Sequence, residues 1–160
     1  MFKNIYKNRR VLVTGHTGFK GSWLCSWLLD LGSNIGGYSL DIPTQPSHFE
    51  SLGLSNHIKH YTGNICDKNS LQQVMEEFRP EIVFHLAAQP LVRKSYENPV
   101  STFETNAIGT LNILDCLRNS PTVAVAVLIT SDKCYENVEW LWGYRENDRL
   151  GGKDPYSASK

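Results

Sequence analysis

The feature that most constrains the fold of this 160-residue chain is a set of evenly spaced glycines directly after a short apolar segment. Residues 11–14 are apolar or β-branched, and Gly15, Gly18 and Gly21 follow. Glycines at such a turn permit a tight bend, a close approach of backbone to pyrophosphate, and close packing of the next helix on the strand. The helix predicted from about residue 22 would direct its free N–H groups at the phosphates. The arrangement predicts a dinucleotide-binding site.

Strand and helix signals alternate along the rest of the chain. Helical patterns or crossovers lie between the predicted strands, and Pro99 suits the first position of a helix that we expect to run to about Leu117. This alternation predicts an α/β fold with a Rossmann-type, doubly wound parallel sheet, and we expect the run 123–129 to be buried on both faces. The strands are predicted at residues 11–14, 34–40, 58–63, 81–86 and 123–130.

Asp41 indicates which dinucleotide binds. It lies twenty residues after Gly21, at the end of the second predicted strand. A carboxylate there accepts hydrogen bonds from the adenosine ribose hydroxyls and repels a 2′-phosphate, which favours NAD over NADP. The alternative is that Asp41 only caps the proline-rich loop that follows it.

Composition argues against several other classes of function. The chain has 16 basic and 16 acidic residues and no basic stripe, so we expect neither nucleic acid nor a membrane as a partner. Residues 23–31 are the most apolar stretch and are too short to span a bilayer. No Cys-x-x-Cys spacing occurs, which predicts free thiols in the cytoplasm and no metal site. The cysteines are Cys25, Cys66, Cys116 and Cys134.

Tyr156 and Lys160 form a Tyr-x-x-x-Lys pair at the end of the sequence. On a helix, positions four residues apart share a face, and a nearby ammonium favours the phenolate form of the tyrosine. Such a phenolate can take a proton from a sugar hydroxyl while a hydride leaves the same carbon. The alternative is a solvated pair on a surface helix.

The glycine motif together with Tyr156 and Lys160 resembles the extended short-chain dehydrogenase/reductase family, whose members modify nucleotide sugars with tightly held NAD. The likeness covers nearly the whole chain and is most specific in the Ser-Asp-Lys and Trp-Gly-Tyr-Arg-Glu stretches. Within that family the chain resembles the 4,6-dehydratases that act on CDP-glucose. The similar stretches are residues 14–23, 43–47, 85–93, 130–137 and 139–148.

This resemblance implies catalytic roles for five residues. Tyr156 matches the base for hydride removal, Lys160 the residue that holds the nicotinamide ribose, and Ser131 the partner of the substrate 4-hydroxyl. Asp132 matches the acid that protonates the departing 6-hydroxyl. Lys133 stands where dTDP-glucose dehydratases carry Glu, which favours the CDP-glucose branch and leaves the carbon-5 base open.

The resemblance also implies the binding partners. It predicts an NAD cofactor, a nucleotide-sugar substrate and a homodimer, which the helix from Pro99 would help to form. Asn64 replaces the Asp that relatives usually carry near the adenine. Besides Tyr156 and Lys160, the implied cofactor contacts are Gly15, Thr17, Gly18, Phe19, Gly21, Asp41, Asn64, Ile65, Ala87 and Ala88.

The implied activity is that of an NAD-dependent lyase that converts CDP-glucose to CDP-4-keto-6-deoxyglucose, a precursor for lipopolysaccharide. Residues 1–160 are expected to form an incomplete NAD-binding domain that lacks the nucleotide-sugar-binding part and is inactive alone. Two alternatives remain open. One is an epimerase or another sugar-nucleotide dehydratase of the same family, and the other is a non-catalytic NAD-binding fragment.

Overall fold

A five-stranded parallel sheet forms the centre of the computed structural model, which describes residues 2–160. In chain order the strands are β1 Arg10–Thr14, β2 Asn34–Ser39, β3 Lys59–Thr62, β4 Ile82–His85 and β5 Val125–Leu128. Their order across the sheet is β3-β2-β1-β4-β5, and every neighbouring pair is parallel. The α/β, Rossmann-type sheet predicted from the sequence is confirmed.

Helices connect the strands and cover both faces of the sheet. A π-helical turn, Glu104–Ile108, joins α5 to α6 and interrupts the single helix predicted from Pro99. Short 3-10 turns occur at Phe2–Asn4, Leu54–Asn56 and Asp132–Cys134. The helices are α1 Phe19–Asp30, α2 His48–Ser51, α3 Lys68–Phe78, α4 Val92–Glu97, α5 Pro99–Phe103, α6 Gly109–Arg118 and α7 Pro155–Ala158.

The core consists of two layers, one on each face of the sheet. Side chains along a strand alternate between the faces of its sheet, so Leu12 packs on one side and Val11 and Val13 on the other. All three are fully buried. The Leu12 layer includes Leu71 of α3 and residues of α6, whereas the Val11 layer includes residues of α1 and α2.

The strand order places a crevice at the carboxyl ends of β1 and β4. From β1 the chain proceeds outward to β2 and β3 on one side, and then returns to β4 and β5 on the other. In open parallel sheets, ligands bind where the strand order reverses in this way. The residues that follow Thr14 and His85 therefore border the candidate site.

The prediction that residues 123–129 are buried on both faces is wrong for this chain. Val125 is 51% exposed and Val127 is 37% exposed. Both lie on the sheet face that α1 covers, since they are paired in register with Ile82 and Phe84 of β4. On that face α1 packs against β1 and β2, whereas β5 is the edge strand two positions away from β1. Nothing in the described chain therefore buries these valines.

The composition of the chain led to expectations about thiols, metal sites and membrane spans, and the structure describes each feature. The four cysteines are free thiols, and burial raises the pKa of Cys25 to about 12. Within residues 2–160, no cluster of three or more His, Cys, Asp or Glu side chains is arranged to hold a metal ion. None of the helices in that range combines the length and apolar character that a membrane span requires.

The packing of Gly37 generates a test of the core. Gly37 lies in β2, and a β-carbon there would overlap the imidazole ring of His16. Because a buried ring cannot move without disturbing its neighbours, we expect Gly37→Ala to lower the free energy of unfolding by about 1–3 kcal/mol. Urea denaturation measures this change. Gly143→Ala is the matched control, since a β-carbon added there would meet nothing within 4 Å beyond its own chain neighbours. Equal effects of the two variants would contradict the prediction.

Candidate active site

The three spaced glycines have separate structural roles. Gly15 adopts a left-handed conformation with φ of +72°, and a β-carbon there would lie 2.7 Å from the Ala87 nitrogen, so the turn after β1 touches the chain after β4. Gly18 is the N-cap of α1, and a β-carbon there would lie 3.3 Å from the Gly15 carbonyl oxygen. A β-carbon on Gly21 would overlap the Gly15 carbonyl, so this glycine lets α1 pack on the turn. The tight turn and the close packing of α1 are two of the roles that the sequence motif predicts.

Thr14 joins the ends of β1 and β4. Its Oγ1 accepts hydrogen bonds from the Leu86 and Ala87 amides at 3.2 and 3.1 Å and lies 2.7 Å from His85 Nδ1. With its oxygen accepting twice, the threonine hydroxyl donates to Nδ1. His85 Nε2 then carries the hydrogen and donates to Thr110 Oγ1 at 3.2 Å. This network assigns the neutral Nε2–H tautomer to His85.

Burial explains why His85 stays neutral. Burial, and to a smaller extent the nearby charge of Lys160, together lower the pKa of the ring to about 4. Burial also lowers the pKa of the Lys160 ammonium itself. Both side chains line a cleft of about 420 Å³, together with Asn106, Thr110 and Ile129. At the carboxyl edge of the sheet the cleft thus places the Lys160 amine beside a neutral imidazole.

Asn106 connects the loop after β4 to the end of the chain. Its Nδ2 donates to the Gln89 carbonyl at 3.1 Å and to Ser159 Oγ at 2.9 Å, and its Oδ1 accepts from the Gln89 amide at 2.8 Å. The residue is buried and lies in the π turn. The sequence analysis missed Asn106. Its only signal in the sequence is a polar residue in the helical region whose buried residues include Ile113 and Cys116.

The Tyr156–Lys160 segment contains one helical turn. Asp154 caps α7, with Oδ1 accepting from the Ser157 amide at 2.9 Å and Oδ2 from the Ser157 hydroxyl at 2.6 Å. Although burial opposes it, these bonds and the charge of Lys133 lower the pKa of Asp154. The helix ends at Ala158, and the Lys160 amide extends the turn by donating to the Ser157 carbonyl at 3.3 Å. The segment packs against α4, α5 and the Asp132–Cys134 turn.

A compact turn carries Ser131, Asp132 and Lys133. Ser131 Oγ accepts a hydrogen bond from the Lys133 amide at 3.2 Å and donates to Asp132 Oδ1 at 3.2 Å. Ser131 is half-buried, whereas the side chains of Asp132 and Lys133 are exposed. Since this turn lies against α7, the structure brings Ser131 and Asp132 to the element that carries Tyr156.

The candidate cofactor residues lie along the same edge of the sheet but differ in what they present. Asp41 follows β2 and is exposed, and its carbonyl accepts the Thr17 hydroxyl at 2.5 Å. Phe19, at the start of α1, is 72% exposed. Ala87 and Ala88 are half-buried beyond β4.

Two candidates after β3 are partly occupied by internal contacts. Asn64 Oδ1 accepts a hydrogen bond from the Cys66 amide at 2.9 Å. The side chain of Ile65 is 5% exposed and packs in the core against Gly109. The Ile65 side chain is therefore not available to a ligand, and its carbonyl accepts a hydrogen bond from Asn112 Nδ2 at 3.1 Å.

Comparisons with known proteins agree with this geometry. The family model described as GDP-mannose 4,6 dehydratase matches residues 12–160. The chain is 53% identical over 158 residues to CDP-glucose 4,6-dehydratase of Salmonella typhimurium, covering 99% of this chain and 44% of that protein. It is 28% identical to CDP-paratose 2-epimerase of Salmonella typhi, over 94% of this chain and 49% of the relative.

Among solved structures, UDP-glucose 4-epimerase of Thermus thermophilus in complex with NAD superimposes with a TM-score of 0.81. The two are 32% identical, and the match covers 94% of this chain and 47% of the epimerase. The chain thus spans about half the length of the relatives that it matches.

The two buried histidines make stability depend on pH. The pKa of His16 is lowered to about 4 by burial and by its neighbour His60, and that of His85 is also about 4. An unfolded histidine binds its proton near pH 6.5, so the unfolded state takes up more protons between pH 6.5 and 4. We expect the free energy of unfolding to fall as pH decreases through that window, by on the order of 3 kcal/mol per histidine, and to be unaffected by these groups above it.

Urea denaturation between pH 7.5 and 4.5, with NMR titration of the imidazole signals, checks this expectation. The NMR signals should show His16 and His85 still neutral at pH 5.5. A midpoint near 6.5 for either ring would contradict its assigned environment.

Proposed function

The chain belongs to the GDP-mannose 4,6 dehydratase family, and from that membership we propose that it is the NAD-binding half of a CDP-glucose 4,6-dehydratase. The observation that carries the proposal is the packing of the Asp132–Cys134 turn against α7, because this joins a carboxylic acid to the element that holds a tyrosine. The 53% identity to the Salmonella typhimurium enzyme supports CDP-glucose as the substrate.

The proposed cofactor site is the crevice at the ends of β1 and β4. The glycine turn and the N-terminus of α1 would hold the pyrophosphate, because free backbone amides and the positive end of the helix dipole attract anions. Asp41 would accept hydrogen bonds from the adenosine ribose. Asn64 and the Ile65 main chain would border the adenine, whereas the other residues would line the path to the nicotinamide. Those others are Phe19, Ala87, Ala88, Tyr156 and Lys160, whereas Thr17 lies in the glycine turn beside the backbone of Asp41.

The proposed chemistry divides among the residues near α7. When bound, NAD would supply a hydride acceptor at carbon 4 of the sugar and return the hydride at carbon 6. Tyr156 would take the proton of the 4-hydroxyl, with Ser131 orienting that hydroxyl and Lys160 favouring the phenolate. Asp132 would donate a proton to the 6-hydroxyl as water leaves. Lys133 is the proposed partner at carbon 5, where it would act as a base only after losing its own proton.

The proposed complete enzyme extends beyond this chain. Its nucleotide-sugar-binding part would come from the additional length that the relatives possess. We propose a cytoplasmic homodimer that makes precursors for lipopolysaccharide, with apolar side chains of α5, the π turn and α6 in the dimer contact. Those that are at least 41% exposed in the present chain are Val100, Phe103, Ile108, Leu111 and Leu114.

Cofactor preference gives the first test of the proposal. NAD should bind the chain more tightly than NADP, since the 2′-phosphate of NADP would face the carboxylate of Asp41. Asp41→Asn removes that repulsion and should bring the two dissociation constants closer together. Calorimetric titration of both cofactors measures the ratio. Asp30→Asn, at the far end of α1, is the matched control, and an unchanged ratio in Asp41→Asn would reduce Asp41 to a turn residue.

The acid role of Asp132 is testable in a complete enzyme that contains this half. Asp132→Asn keeps the shape of the side chain but cannot donate the proton, so dehydration of CDP-glucose should slow by about 10²–10⁴-fold. Oxidation at carbon 4 should still occur, because Tyr156, Lys160 and Ser131 are unchanged. Stopped-flow absorbance should therefore show enzyme-bound NADH accumulating.

Tyr156→Phe provides the matched comparison, and we expect it to form neither NADH nor product. Dehydration by Asp132→Asn at nearly the parental rate would exclude Asp132 as the acid. Interconversion of glucose and galactose nucleotides by the parent enzyme would favour the epimerase alternative.

A further inference from the structure

The glycine turn and the loop after β2 are joined by the side chain of Thr17. Its hydroxyl donates to the Asp41 carbonyl at 2.5 Å, and its amide donates to Ser39 Oγ at 3.4 Å. Thr17 is 5% exposed, its bond to Ser39 is buried, and its bond to the exposed Asp41 is partly buried. The hydroxyl of Thr17 is thus already engaged with the backbone of the residue proposed to recognise the ribose.

His16 contacts Ser39, the second partner of Thr17, and holds its side chain in place. Its Nδ1 lies 2.8 Å from Ser39 Oγ, and its Nε2 lies 2.6 Å from Nδ1 of His60 on β3. The ring is fully buried, occupies the space left by the missing side chain of Gly37, and packs edge-on against Phe49. Ser39 therefore cannot turn away from Thr17 without leaving a buried imidazole nitrogen unsatisfied, which is costly.

The carboxylate of Asp41 is exposed and takes part in none of the ion pairs found within residues 2–160. The position of this carboxylate therefore depends on the backbone of Asp41. The hydroxyl of Thr17 holds that backbone by donating to the Asp41 carbonyl. A carboxylate discriminates a ribose hydroxyl from a 2′-phosphate only while it stays close to that position, because the interaction weakens with distance.

We propose that Thr17, braced through Ser39 by His16, is a positioning residue that sets the preference for NAD over NADP by holding the backbone of Asp41. This inference rests on the proposed cofactor site. It assigns to the Thr17 hydroxyl a role in orienting Asp41, in place of a direct contact with the cofactor. The pyrophosphate is common to both dinucleotides, so loss of a phosphate contact would weaken both alike, whereas loss of positioning would change their ratio.

Thr17→Val is the direct test, because valine has nearly the same shape and lacks the hydroxyl. We expect the ratio of the NADP to the NAD dissociation constant to fall by about three- to tenfold, the range that corresponds to the net contribution of one hydrogen bond. Thr17→Ser restores the hydroxyl and should restore the ratio. Calorimetric titration of the folded chain with each cofactor gives the values.

Two control variants remove comparable hydroxyl groups near the amino ends of the strands, far from the candidate site. Thr122, which precedes β5, donates to the Pro80 carbonyl at 2.8 Å, so Thr122→Val deletes a similar bond. Ser39→Ala should lower the ratio in the same direction as Thr17→Val. Its control is Ser33→Ala, which removes a bond from a buried serine to the Tyr6 carbonyl at 3.1 Å. Both control variants should keep the parental ratio.

The outcomes separate this inference from the proposed function. If the parent chain prefers NAD and Thr17→Val keeps the full preference, or weakens both cofactors equally, the positioning role is overturned while the cofactor site stands. A fall in the ratio that the Thr122→Val control reproduces would also overturn it. If the parent chain binds neither cofactor, the proposed cofactor site itself fails. A selective fall with rescue by serine supports the inference.

Discussion

The site depends on the contact between the turn after β1 and the chain after β4. Gly15 approaches the Ala87 backbone so closely that a β-carbon would lie 2.7 Å from its nitrogen, and the hydroxyl of Thr14 accepts the amides of Leu86 and Ala87. Two strands separated by about seventy residues of sequence are thus locked in register at their carboxyl ends. The crevice, the start of α1 and the placement of His85 all follow from this junction.

The local parts of the fold were predictable because their causes are local. The spacing of Gly15, Gly18 and Gly21 encodes a turn, a helix start and a packing contact within seven residues. The start of α3 has an equally local cause, since the carboxylate of its N-cap residue Asp67 accepts the amides of Asn69 and Ser70. The exposure of β5 was not predictable, since an apolar run shows what a strand can bury and not which elements are present to cover it.

The polar network of the site escaped the sequence analysis for a different reason. Asn106 bonds to Ser159 fifty-three positions away, and His85 bonds to Thr14 at a separation of seventy-one. No periodicity records such pairs, because each partner is an ordinary polar residue in its own segment. Local sequence likewise gives no signal for the π turn that contains Asn106, since helical propensity predicts an unbroken helix there.

The pKa of His85 bears on which residues can carry protons in the candidate site. A histidine beside a cleft is an obvious general base, but effective proton transfer requires a pKa near the working pH. Burial and the charge of Lys160 hold the pKa of His85 at about 4, and both of its ring nitrogens already have threonine partners. A ring in that state is a weak base, and protonating it would break the bonds that join β1 to α6. His85 therefore serves as a neutral connector, and this supports the proposal that assigns proton transfer to Tyr156 and Asp132.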